Sequence, residues 1–298
     1  MNTREIANKI KCITLEDAEQ DFGKLTKMSL DACAVSDRCR IGNNVVDYFT
    51  FEQRLKTRGK YNVNFYEFIE QIEEFKKKKF IQNMLFYYET IKNKNKTKNQ
   101  YIVLKEVFNI CISAINIFRP LIAMEIYSKY QPKCILDPCA GWGGRAIGAA
   151  ALNVPKYIGI EINTDLSESY ENMKSFLSQK STTNIDMHFC DALTIHYSEL
   201  PPYDMVFTSP PYYLLEKYAN NTIYENKEIM NSSFYVPLFE KTYAHLQQNG
   251  VYILNVNNDI YENVCLHVLG QADCIMPLKK SKRQNNYTEN IYIWIKNK

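Results

Sequence analysis

The stretch CILDPCAGWGGRAIGAA, Cys134–Ala150, decides how the chain folds. Four residues of strand character end in Asp137, a turn carrying Gly141, Gly143 and Gly144 follows, and a run of small residues then opens a helix. Glycine reaches positive φ and lets backbone approach a ligand closely, and a helix start presents unpaired N–H groups. Nucleotide, flavin and nicotinamide sites all use such a turn, so the stretch alone fixes a fold class and no ligand.

Working outward, short apolar strands alternate with helical stretches. KYIGIEI precedes a helix over Asp165–Gln179, and DMHFCD and DMVFTS precede one over Ser233–Gln248. GVYILNV then leads into Ile260–Leu269, and CIMPL and NIYIWIK close the series. This alternation predicts an α/β fold, a mostly parallel Rossmann-like sheet covered on both faces. KKSKRQNNYTE joins the last two strands as a hairpin, which places one antiparallel strand near an edge.

Residues 1–115 read as a mainly helical, basic segment, and residues 116–298 as the catalytic domain. The front segment holds 20 Lys+Arg against 15 Asp+Glu, a net of +5, and the remainder 16 against 18, a net of −2. The front is therefore the better candidate for touching a polyanion. NFYEFIEQIEEFKKKKFIQNMLFYYETI has apolar residues at helical spacing, which core packing explains; residues 102–127 predict a further helix, and NKNKNKTKNQ a polar loop. Arg54, Lys56, Arg58 and Lys60 alternate along a helix end or loop, where phosphate contact and plain solvation compete.

The 298 residues, 46% hydrophobic and 23% charged, suit one large globular unit or a catalytic domain with a smaller one. No window nears 18 uninterrupted apolar residues, and MNTREIANKIKC lacks the apolar centre of a signal peptide, so a soluble, cytoplasmic protein is expected. Nine cysteines, odd in number and without a CxxC pair, fit a reducing compartment and give no metal site; Cys33 and Cys39 are too loosely spaced for a zinc knuckle.

Spacing narrows the ligand. Glu161 ends a second strand 24 residues after Asp137, where a carboxylate can accept both hydroxyls of a ribose. Asp191 follows a third strand, placed to accept from an adenine amine. Three acids at successive strand ends describe an adenosine-bearing ligand, and a dinucleotide dehydrogenase shares only the first two.

The fourth strand ends VFTSPPYY, Val206–Tyr213. Consecutive prolines fix φ and donate no competing N–H. A nucleobase amine is a poor nucleophile because its lone pair is delocalised into the ring. The Ser209 side chain and the Pro210 carbonyl can take its two protons and aim the lone pair, while Tyr212 stacks on a flipped base. A Pro-Pro turn capping a strand, with tyrosines packed against it, is the plainer account. Asn255, Asn257 and Asn258, after the fifth strand, are read as helix caps rather than base contacts.

From about Phe118 to Lys296 these residues resemble the S-adenosylmethionine-dependent amino-methyltransferases, which modify exocyclic amines in DNA. Ser209-Pro210-Pro211-Tyr212 is similar to their [DNS]-PP-[YFW] motif, and DPCAGWGG to their donor-binding motif. The resemblance implies S-adenosylmethionine as cofactor, held by Phe118, Pro120, Asp137, Cys139, Ala140, Gly141, Gly143, Glu161, Ile162, Asp191 and Ala192. It also implies catalysis at Ser209, Pro210, Pro211 and Tyr212. DNA is the implied partner, in a restriction-modification setting, with cytosine N4 favoured by Ser209 over adenine N6. The alternatives are a base amine in RNA and a non-catalytic nucleic-acid-binding subunit. The chain ends just past the last strand, so target recognition is expected in the basic front segment, in Leu214–Glu228, or in the Lys279–Arg283 hairpin with Lys279, Lys280 and Arg283.

Overall fold

The segment after Cys134 builds one seven-stranded sheet in the computed structural model, which describes residues 2–28, 39–213, 222–278 and 289–297. Its strands are β1 (Cys134–Asp137), β2 (Lys156–Glu161), β3 (Asn184–Phe189), β4 (Tyr203–Thr208), β5 (Leu246–Asn257), β6 (Cys274–Pro277) and β7 (Glu289–Ile295). They lie in the order β3-β2-β1-β4-β5-β7-β6. The first five run parallel, and β7 is inserted antiparallel between β5 and β6. This is the Rossmann-like methyltransferase arrangement. Strand order reverses beside β1, which opens a crevice at the carboxyl ends of β1 and β4, the place where such sheets take ligands.

The period of two sorts side chains between two cores. Ile135, Tyr157, Met205, Phe207 and Ile253 join the core on one face, and Leu136, Ile158, Val206, Tyr252 and Leu254 the core on the other. The Asp204 carboxylate locks the pairing at the start of β1 by accepting from the Lys133 and Cys134 amides, at 2.9 Å each for the shorter bonds.

The front segment forms α1 (Thr3–Ile10), α2 (Leu15–Thr26), α3 (Asn43–Lys56), α4 (Phe65–Glu70), α5 (Ile72–Lys76), α6 (Lys79–Phe86) and α7 (Gln100–Cys111). Asn2, Thr14 and Asn64 close capping boxes on α1, α2 and α4. Phe22 and Leu25 of α2 and Val45 and Val46 of α3 share the core that covers β1 and β2. Phe65, Phe68, Phe75, Ile81, Val107 and Phe108 make a separate core among α4 to α7.

Three expected helices break earlier than periodicity predicts. The stretch from Asn64 to Ile91 divides into three helices, with Gln71 (φ −100°, ψ 20°) and Lys78 (φ −80°, ψ 110°) between them. The helix expected over 102–127 stops at Cys111 and the chain re-enters helix as α8 (Pro120–Tyr130), where Pro120, lacking an N–H, takes the first-turn position. The helix expected to reach Gln248 ends at Ala244, and β5 begins at Leu246. No helix among the described residues is long and apolar enough to cross a membrane.

Behind the glycine turn, α8 packs on α9 (Gly144–Ala151), and α10 (Ser167–Ser178) follows β2. Contact between α8 and α9 is backbone-close. A Cβ at Gly144 would stand 1.9 Å from the Phe118 carbonyl oxygen, and one at Gly148 2.8 Å from that of Pro120. Both atoms belong to backbone and cannot swing away. Gly144→Ala should therefore destabilise the fold by at least about 1–3 kcal/mol, the usual range for overpacking, measured by urea denaturation; an unchanged midpoint would show that the approach can relax.

Candidate active site

Asp137 ends β1 with the parity of Ile135, so its carboxylate points into the core beneath the turn. It is wholly buried. Oδ2 accepts from Arg145 Nε at 2.6 Å and from the Tyr157 hydroxyl at 2.5 Å, and Oδ1 from Arg145 Nη2 at 3.1 Å. Arg145, 3% exposed, also donates to the Cys139 carbonyl at 2.5 Å. Its guanidinium pKa is pushed above the ordinary value because the attraction of Asp137 and the hydrogen bonds to it outweigh the cost of burial. Sequence spacing puts Asp137 beside the donor; the structure instead makes it the support that shapes the turn from behind.

The turn is tied down atom by atom. The Cys139 amide donates to Thr208 Oγ1 at 3.2 Å, which joins β1 to the end of β4. The Ala140 amide donates to the Ile160 carbonyl at 2.9 Å, the Gly141 amide to Glu161 Oε2 at 2.7 Å, and Tyr170 donates to the Gly141 carbonyl at 2.9 Å. Gly141 has φ +59°, and a Cβ there would meet nothing closer than 3.9 Å. That open space, bordered by a left-handed backbone, is a cradle that only glycine leaves free. Phe118 and Pro120 lie against the same turn, with the Phe118 ring 5.3 Å from the Arg145 guanidinium.

Glu161 sits at the mouth of this cradle, 8% exposed. Its oxygens accept the Gly141 and Asn163 amides, at 2.7 and 2.9 Å, and each keeps a lone pair for a further donor. Burial raises its pKa to about 7, opposed in part by those two bonds. Asp191 follows β3, with Oδ1 accepting from the Leu193 amide at 2.9 Å, and Ile162 and Ala192 flank the two acids in sequence. A cradle, a carboxylate able to accept ribose hydroxyls and a second acid for an amine fit an adenosine donor.

The proline corner stands at the end of β4. Ser209 donates its hydroxyl proton to Asn255 Oδ1 at 3.2 Å, and Asn255 Nδ2 donates to the Asn290 carbonyl at 3.1 Å, which fixes the amide's orientation. The Ser209 oxygen keeps its lone pairs. Tyr212 donates to the Asn255 carbonyl at 3.2 Å and is half-buried. No donor among the described residues reaches the Pro210 carbonyl. Tyr235 clamps the backbone: its hydroxyl donates to the Pro211 carbonyl and accepts from the Tyr213 amide at 2.9 Å. Tyr213 itself has φ +51°, a left-handed conformation that the clamp sustains.

Arg145, Tyr157, Thr208 and Tyr235 escape the sequence reading, which takes Asn255 for a helix cap. Only Arg145 carries a local signal, a charge inside GRAIGAAA that demands a buried partner. Asn257 caps the following turn, accepting from the Ile260 amide at 2.9 Å, as its position suggests, whereas Asn255 belongs to the corner. The cationic row lies beside carboxylates. Arg54 is only 11% exposed and folds onto Asp47, Arg58 pairs with Glu67, and Lys56 lies 3.4 Å from Glu52, because each has a carboxylate in reach within the helical lobe. Lys60 alone remains without a carboxylate among the described residues. Lys279, Lys280 and Arg283, with Cys33 and residues 214–221 of the Leu214–Glu228 stretch, lie outside the described residues.

The family model described as RNA cap guanine-N2 methyltransferase matches residues 132–298. No curated protein matches the chain. Among solved structures the chain is similar to TrmN from Thermus thermophilus (TM-score 0.45, 16% identity, 59% of this chain and 48% of that one). It is also similar to the M. jannaschii tRNA m1G37 methyltransferase (0.42, 12%, 62% and 52%). A third is an rRNA methylase from Streptococcus thermophilus (0.42, 13%, 62% and 100%). The chain spans about half the length of the first two. Fold and family are those of S-adenosylmethionine-dependent methyltransferases. The family is an RNA one, and nothing in it supports the DNA substrate or the restriction-modification setting that the resemblance implies.

Donor affinity should follow the ionisation of Glu161. With a pKa of about 7 the carboxylate is charged above that pH and protonated below it, so affinity falls as pH drops. Calorimetric titration with S-adenosylmethionine should show about ten-fold weaker binding at pH 6 than at pH 8. Glu161→Gln should bind weakly at both; a wild-type pH profile in that variant would exclude the assignment.

Proposed function

The chain belongs to the RNA cap guanine-N2 methyltransferase family, and on that premise we propose that it methylates an exocyclic base amine in RNA, with guanine N2 first among the candidates. The Ser209–Asn255 hydrogen bond carries the reading. A hydroxyl that donates away from the pocket presents only lone pairs to it, and beside it the Pro210 carbonyl is a second acceptor. Two acceptors match the two protons of a primary amine.

Residues of the chain divide the work. S-adenosylmethionine, when bound, supplies an electrophilic methyl group. Glu161, Asp191 and the Gly141 cradle hold its adenosine, and Phe118 and Pro120 lie where its methionine part would run. Ser209 and Pro210 pull the amine out of conjugation and orient its lone pair. Tyr212 offers a face to the base, worth about 1–3 kcal/mol where such stacking has been measured. One amine proton must leave as the N–C bond forms; the acceptors and solvent suffice, since the methylated nitrogen is strongly acidic.

The proposal divides the chain into the helical segment 1–115, which meets the polymer, and the catalytic domain 116–298. DNA amines would satisfy the same acceptors, so the corner does not separate the polymers; the family match supports RNA.

Incubation with methyl-tritiated donor and either capped RNA or unmethylated DNA, followed by digestion to nucleosides, should place the label in RNA guanosine. Label in DNA alone would overturn the reading. Ser209→Ala should lose about 10²–10³-fold in turnover, as removal of a transition-state hydrogen bond does elsewhere, with donor affinity unchanged. Asn255→Ala should lower kcat more than it raises the RNA KM, because it frees the Ser209 proton to turn inward; a wild-type kcat would remove Asn255 from the mechanism.

A further inference from the structure

Residues 76–98 contain eight lysines and one glutamate, a net of +7 against +3 for the whole chain, so every other residue together sums to −4. Three of the lysines are neutralised: Lys76 by Glu73, Lys77 by Glu74 and Lys98 by Glu106. Lys78, Lys79, Lys92, Lys94 and Lys96 are exposed and have no carboxylate partner among the described residues. Lys92 stands 5.8 Å from the Tyr87 ring centroid, and Lys78 4.8 Å from that of Tyr61.

Large apolar side chains are interleaved with these charges. Phe80 is 60% exposed, Tyr87 38% and Ile91 61%. Phe80, Tyr87 and Ile91 take exposed positions on α6 and on the π-helical turn Tyr87–Lys92 that continues it, while Ile81 and Leu85 of α6 enter the lobe's core. Solvated lysine faces are ordinary, but a set of uncovered aromatics between unpaired cations is not, because each ring left in water forgoes burial. A lipid surface also takes cations beside exposed apolar side chains, so the choice of occupant rests on the match to an RNA methyltransferase family. Single-stranded nucleic acid needs both, cations for phosphates and aromatic faces for bases.

We infer that this surface binds a single-stranded segment of the RNA substrate, its phosphates held by Lys78, Lys79, Lys92 and Lys94 and its bases stacked on Phe80 and Tyr87. The inference rests on the RNA reading above and adds the place where the polymer is gripped. It also replaces the Arg54–Lys60 row, most of whose charge is spent internally.

Fluorescence anisotropy with a labelled, unstructured oligoribonucleotide tests it without turnover. Replacing Lys78, Lys79, Lys92 and Lys94 with alanine should weaken binding and flatten the slope of log affinity against log salt by about 3, at roughly 0.7 per lost phosphate contact. Phe80→Ala with Tyr87→Ala should cost at least about 30-fold in affinity, two stacked bases at about 1 kcal/mol or more each, and leave the salt slope unchanged. Melting temperature and donor affinity should stay at wild-type values in both, since the side chains are exposed. Wild-type affinity and slope in the lysine variant would overturn the surface, and labelling of RNA guanosine by the wild-type enzyme would still uphold the catalytic reading. Binding of duplex DNA as tightly as RNA, with the same lysine dependence, would overturn the choice of occupant.

Discussion

The buried ion pair between Asp137 and Arg145 is the constraint on which the rest of the site depends. Two charges out of water are tolerable only when geometry is good and the remaining hydrogen-bonding capacity is used, and here Tyr157 and the Cys139 carbonyl use it. The pair fixes the turn from below, the turn presents its Gly141 amide to Glu161, and Glu161 thereby faces the crevice. Remove either charge and the other is stranded in a core of Phe118, Tyr127 and Phe207, so the donor cradle and the fold stand or fall together.

How much of this was legible in the sequence follows from distance along the chain. The sheet could be read because its strands are apolar runs separated by amphipathic helices, and the proline corner because its chemistry is packed into four consecutive residues. The Asp137 carboxylate was legible as a strand end but not as a buried one. Its direction depends on parity and on Tyr157, twenty residues away. Tyr235 and Asn255 meet the corner from 22 to 46 residues off, and no local pattern marks them. The ion pairs of the Arg54–Lys60 row were hidden for the same reason: cationic spacing is local, whereas the carboxylates beside those cations are supplied by folding.

Polymer identity was the least legible property. Ser209 and its neighbours offer hydrogen-bond acceptors, and the amines that match such acceptors occur in DNA and RNA alike. What distinguishes polymers is backbone, sugar and strandedness, which are read by surfaces away from the reacting atom. The helical lobe, with its concentrated charge between residues 76 and 98, is where we place such a surface.

The proline corner separates what it holds from how it is held. Its backbone is secured by the Tyr235 phenol, whose pKa burial drives upward, so the proton stays committed to the Pro211 carbonyl throughout the physiological range. None of that anchorage passes through the side chain at position 209. A lineage could therefore exchange the serine for another short acceptor, retuning which nucleoside is favoured, while inheriting the surrounding architecture intact.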